Sequence, residues 1–135
     1  MDSEREKQLA AFMRRALNEP FRWGVNDCCA TVDEWCKLRT GRSPINAVYE
    51  SYDNETAANE IIERRGGVAR MVSGAMRSAK IPKTRDPQNG DVGVVKMLGR
   101  VCAAIKLGNI WTARDKTGML ATASPDRIVA AWRID

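Results

Sequence analysis

The spacing of apolar residues changes once along this chain, and that change sets the fold class. Up to about residue 82 they recur at helical intervals, and from Gly90 onward they come in short runs parted by turn residues. Leu9, Phe12, Met13, Ala16 and Leu17 share one helical face, behind a Ser3-x-x-Glu6 capping box and ahead of Pro20, which stops the helix. Asn26 or Asp27 is placed to cap a second helix with the apolar face Cys29, Val32, Trp35 and Cys36 and with Gly41 as its stop signal. Tyr49 and Tyr52 fall in a less regular connection. Asn54 is positioned to cap a third helix carrying Ala57, Ala58, Ile61 and Ile62, ended by Gly66-Gly67, and a fourth spans about Val68 to Lys80, before Pro82. Strands are then expected at Val92–Met97, Val101–Leu107, Ile110–Ala113, Met119–Ala123 and Ile128–Ile134, with a turn at Gly108-Asn109. Helices followed by strands imply an α+β domain, its N-terminal helices packed on a C-terminal antiparallel sheet of about five strands joined as a meander. One domain is expected over residues 1–135: an N-terminal helix in 1–19, a helical part with Cys28 in 20–82, and the sheet in 90–135.

A chain of 135 residues suits one core, and 44% apolar with 29% charged residues reads as globular. No apolar run approaches the roughly 18–20 residues of a membrane span. The start, Met1 to Lys7, is charged and lacks the apolar centre of a signal peptide, so synthesis in a cytoplasm without export by the common route is expected. The four cysteines, Cys28, Cys29, Cys36 and Cys102, do not suggest a framework. Cys29 and Cys36 lie about 10 Å apart along a helix, beyond the about 7 Å between Cα atoms that a disulfide tolerates. No C-x₂₋₄-C pair marks a zinc site, so free thiols, no metal and no cofactor are expected.

The net charge is +5, and the stretch from Arg64 to Arg85 carries Arg64, Arg65, Arg70, Arg77, Lys80, Lys83 and Arg85 without an acid. Its plain reading is a solvated helix face; its functional reading is a contact surface for an acidic partner. Nucleic acid is the lesser partner class, because no zinc-finger, RNA-recognition or helix-turn-helix signature accompanies the charge. Phe12, on the first helix, is a second candidate contact residue. Trp23, Trp35, Trp111 and Trp132 read as core rather than as a ligand cleft.

Phe21-Arg22-Trp23-Gly24-Val25-Asn26-Asp27-Cys28 places a thiol at a helix start. The helix dipole favours thiolate there, by typically about 0.3–1 kcal/mol, under one pKa unit. Thiolate attack on an amide also needs an acid to protonate the leaving amine, usually histidine, and the chain has none. Cys28 is therefore expected to be a poor nucleophile and a small residue of the core.

Taken in order, three of these elements resemble the NlpC-type family of papain-like cysteine peptidases, which cut cell-wall peptides. Trp23-Gly24 leading to Asp27-Cys28 resembles the family's nucleophile motif. Gly90-Asp91-Val92 resembles its Gly-Asp-hydrophobic lead-in to the first core strand, and Ala104-Ile105-Lys106-Leu107-Gly108-Asn109 its Gly-Ile-Tyr-Leu-Gly strand and turn. Ala131-Trp132-Arg133-Ile134 resembles the ending of a phage-encoded, tail-associated branch, and the likeness runs from about Pro20 to Asp135. The resemblance implies a papain-like core with Cys28 at the nucleophile position beside Asp27. It puts Cys102 or Arg100 where the family has histidine, depending on whether Leu107-Gly108 or Gly99 is the anchor, and Thr112 near the third polar position. Cys29-Ala30 stands where the family has Ser-Gly. The implied function is a structural or assembly protein of a phage tail tip (hub or baseplate) with a degenerate peptidase fold. It would be made in the bacterial host cytoplasm and end in the virion tail, its partners being other tail-tip proteins. The alternative is a cell-wall peptide hydrolase using Cys28 and a non-standard or partner-supplied base.

Overall fold

A computed structural model describes residues 3–135. Four helices, α1 (Ser3–Asn18), α2 (Cys28–Thr40), α3 (Glu55–Arg64) and α4 (Val68–Ser78), precede five strands. The strands are β1 (Val92–Met97), β2 (Arg100–Leu107), β3 (Ile110–Asp115), β4 (Gly118–Thr122) and β5 (Arg127–Trp132), and they form one antiparallel sheet. The α+β order is as the spacing predicts. The Ser3 side chain, on which the expected capping box depends, lies outside the described residues, as do Met1 and Asp2.

Local signals place the helices. Asp27 takes the cap of α2 by accepting from the Ala30 amide, and Gly41, at φ 80°, closes it by donating to the Lys37 carbonyl. Asn26 turns to the preceding loop instead, accepting from the Arg22 amide at 2.6 Å and donating to the Pro20 carbonyl at 2.8 Å. Asn54 caps α3 through the Ala57 amide.

The sheet corrects the expected meander. Its strand order is β4-β3-β2-β1-β5: the first four strands follow one another, but β5 crosses back to the free edge of β1. The reason lies in β1, where Val92, Val94, Val95 and Met97 are all buried. A strand apolar on both faces belongs inside a sheet and needs a neighbour on each side. β5 supplies it, with Ala131 opposite Gly93 and Trp132 opposite Val92.

One sheet face packs on the helices, uniting Leu9, Phe12 and Met13 of α1 with Val32, Trp35 and Cys36 of α2 and Val72, Ala75 and Met76 of α4 over Val94, Ala103, Ile105 and Trp132. The other face buries a smaller group, including Val95, Met97, Cys102, Ala104 and Trp111. Phe12 is 3% exposed and its ring centroid lies 5.5 Å from that of Trp35. The expectation that Phe12 contacts a partner is thereby corrected: α1 spends its apolar face on closing the domain's own core, where each such side chain contributes roughly 1.5–3 kcal/mol. Trp35, Trp111 and Trp132 are core as expected, and Trp23 alone stays half-buried at the surface.

The Gly90-Asp91 pair ties these layers. Trp35 Nε1 donates to the Gly90 carbonyl at 2.7 Å, and the buried Asp91 carboxylate accepts from Arg5 (2.8 Å), the Gln88 amide (2.8 Å) and the Ile134 amide (3.1 Å). No described helix is long and apolar enough to cross a membrane.

Candidate functional site

The loop before α2 is built to hold Asp27. Gly24 donates its amide to Asp27 Oδ2 at 2.7 Å, the Tyr52 hydroxyl donates to the same oxygen at 2.7 Å, and Oδ1 accepts from Ala30 at 3.0 Å. Gly24 has φ +78°, and a Cβ there would stand 1.9 Å from the Tyr52 carbonyl oxygen, so this position requires glycine. With three donors on its two oxygens, Asp27 is a positioning anchor for the helix start rather than a free base.

Cys28 follows in the first turn of α2, half-buried, on the floor of a cleft of about 530 Å³. Phe21 and Trp23, edge to face at 5.0 Å, stand on one wall with Tyr52; Ala58, Ile62 and Val68 add an apolar side; Arg100, Cys102, Asp115 and Lys116 come from the sheet. The Cys28 thiol is held below its ordinary value chiefly because the Cys29 S–H donates to it, with the Ala103 amide also donating; burial and the Asp27 charge oppose the shift. The proton of the pair thus stays on buried Cys29, whose own value is pushed well up by that hydrogen bond and by burial. Sequence reasoning assigned Cys28 only the helix dipole. The vicinal Cys28-Cys29 was the available signal for the second thiol, but the Ala103 amide comes from a strand and carries no sequence mark.

The structure brings Asp27, Cys28, Cys102 and Arg100 to one cleft and leaves Thr112 out of it. Cys102 is buried, and desolvation, reinforced by the neighbouring Cys28 charge, pushes its thiol up to about 11. Arg100 is exposed and ion-paired with Asp115 at 3.7 Å. The Thr112 hydroxyl is buried and donates to the Ile105 carbonyl at 2.9 Å across the β2–β3 pair, so it orients nothing in the cleft. With no histidine in the chain, no neutral imidazole exists to carry a proton. Among the described residues no group of three or more His, Cys, Asp or Glu side chains is placed to hold a metal ion.

Two contributors escaped the sequence reading. Tyr52 looked like part of a loose connection but buttresses Asp27. Arg114 sits on β3, where polar alternation suggests exposure, yet it is buried and donates to the carbonyls of Ala16 and Glu19 at the end of α1, with its guanidinium 5.8 Å over the Phe21 ring. It satisfies helix-end carbonyls with a cation and props a cleft wall.

The basic stretch divides. Arg64 and Arg65 converge on Glu50 at 3.6 and 2.9 Å, an acid contributed from outside the stretch, and Arg65 also lies 5.3 Å over the Tyr49 ring. Arg70 and Arg77 are exposed on α4, flanking Ser73 in a shallow depression, and Lys80 is exposed just beyond.

A family model described as a domain of unknown function, DUF6950, matches residues 2–134, and the chain belongs to that family. No curated protein and no solved structure matches it.

Proposed function

We propose that this DUF6950 protein works by binding other proteins, as a structural or assembly component of a phage tail tip, through a peptidase-like cleft that has lost peptide-bond chemistry. One observation carries the loss. The cleft presents a thiol but no group acidic enough to protonate a departing amine near neutral pH: Asp27 is an anchor held by three donors and Arg100 is a paired cation. The Cys29 thiol, through its hydrogen bond to Cys28 and burial, and the Cys102 thiol and Tyr52 hydroxyl, through burial, are all pushed up, which makes them weaker acids still. An amide leaving group expelled without a proton is too basic to depart at neutral pH, so the acyl chemistry stalls. The tail-tip setting rests on the ordered likeness to the NlpC-type pattern and its phage-encoded branch. The apolar side of the cleft and the exposed cations Arg70, Arg77 and Lys80 are the surfaces offered to tail-tip partners.

The test pairs two assays. Deleting the gene from a phage that carries it should stop tail assembly or infectivity, and Cys28→Ser should restore both. Normal assembly and infectivity after deletion would remove the tail-tip role. The second reading, a cell-wall peptide hydrolase, is favoured by the lowered Cys28 thiol at the cleft floor. It predicts release of peptide fragments from cell-wall peptides, abolished in Cys28→Ser, by the protein alone or with a partner that lends a base.

A further inference from the structure

Around Cys28 the cleft assembles three thiols of unequal standing. Cys28 is half-buried and reachable from the 530 Å³ opening; Cys29 is buried behind it as its hydrogen-bond donor; Cys102 is buried in the facing strand and lines the same opening. A thiolate with no neighbour that gives up a proton near neutral pH cannot open an amide, but it can open a bond whose leaving group departs as a thiolate. Disulfides are that class: their exchange needs no general acid, because the expelled sulfur is stable as an anion.

We infer that Cys28 is a thiol–disulfide exchange site that captures one half of an incoming disulfide and holds it as a mixed disulfide in the cleft. The Cys28 sulfur attacks one sulfur of R–S–S–R′; the new Cys28–S–S–R bond forms as the S–S bond breaks; R′–S⁻ leaves with the electron pair and takes its proton from water. No external oxidant is needed, because the disulfide is the co-reactant. Release would need a second thiolate close by. Cys29 and Cys102 are both buried, and that burial, which persists once Cys28 is bonded and uncharged, opposes ionisation of either thiol, so neither attacks the adduct readily near neutral pH. The cleft is thus arranged for capture rather than turnover. The inference uses the reading that peptide-bond chemistry is absent, but not the tail-tip assignment. A small-molecule disulfide and a disulfide on a partner protein share this chemistry.

The test uses the reduced full chain and bis(2-hydroxyethyl) disulfide, followed by intact mass and peptide mapping. One adduct on Cys28 is expected. Its rate should titrate with a midpoint below that of the same cysteine in denaturant-unfolded chain, and Cys28→Ser should abolish it. Cys29→Ala, confirmed folded by its melting curve, should move the midpoint up and slow labelling near neutral pH by about tenfold or more. If this variant does not fold, the native-versus-unfolded comparison decides. Adducts favouring another cysteine, equal midpoints in native and unfolded chain, or rapid collapse of the adduct to an internal disulfide would each overturn the inference. To separate sources, non-reducing gels of purified particles should show a band shift abolished by Cys28→Ser if a protein disulfide is captured, and an unshifted chain with added adduct mass if a small one is. Particles holding only free Cys28 would confine the site to small disulfides met outside the particle, and the purified-chain assay alone would then decide. Because that assay involves no tail, its failure leaves the assembly role standing, and failure of assembly leaves the thiol result standing.

Discussion

Arg5 reaches Asp91 at 2.8 Å across 86 positions of sequence, and the carboxylate it meets has a side chain 1% exposed. The same oxygen accepts from the Ile134 amide at 3.1 Å, so one buried acid joins the first helix, the lead-in to β1 and the far end of the sheet. Asp91→Ala should therefore destabilise the domain by about 3–5 kcal/mol, since it strands the donors aimed at that acid. Urea unfolding of the variant checks it; a loss under about 1 kcal/mol would show that water replaces the carboxylate there.

Phe12→Ala separates core from contact. With Phe12 buried against Trp35, truncation should cost about 3–5 kcal/mol in the isolated chain. A melting curve unchanged from the parent would return Phe12 to the list of docking residues.

Gly24→Ala meets the Tyr52 carbonyl and a left-handed φ together. The expected outcome is a loss of more than about 1–3 kcal/mol, with the loop before α2 displaced and the Asp27–Tyr52 pair broken. Thermal denaturation measures the first effect, and the Tyr52 hydroxyl proton resonance the second.

Tyr52→Phe deletes one donor to Asp27 while keeping the ring on the cleft wall. A loss of about 1.5–3 kcal/mol is expected for a hydrogen bond to a charged acceptor, read from denaturant midpoints.

Burial raises the Cys36 thiol to about 12 and the Cys102 thiol to about 11, from an ordinary 9.0. Above pH 9 the unfolded chain gives up these protons and the folded chain keeps them. Stability from this source is complete below pH 9 and falls as pH rises through 11 to 12. Chemical denaturation at stepped pH should show that decline, reduced in Cys36→Ala once its lower baseline is subtracted. A flat profile from pH 9 to 11 would contradict the burial argument.

The helices were legible because their signals are local. Asn54 and Gly41 cap and stop them wherever the rest of the chain lies. The strands were legible because turn glycines interrupt the apolar runs. The return of β5 to β1 was not, since antiparallel neighbours are chosen by which edges remain apolar and open, a property of the assembled sheet. The cleft followed the same division. Asp27-Cys28 at a helix start could be read directly, whereas the Ala103 amide, the Tyr52 hydroxyl and the buried guanidinium of Arg114 arrive from elements distant in sequence.

The strand order also sets a schedule for folding during synthesis. β1 occupies the middle of the sheet, yet one of its two neighbours spans residues 127–132. Until that segment clears the ribosome, the apolar β1 has an open flank and Asp91 lacks its Ile134 donor. A nascent chain halted near residue 120 would thus expose an unpaired, Val-rich edge, the state most prone to sticking to other chains and most in need of a chaperone.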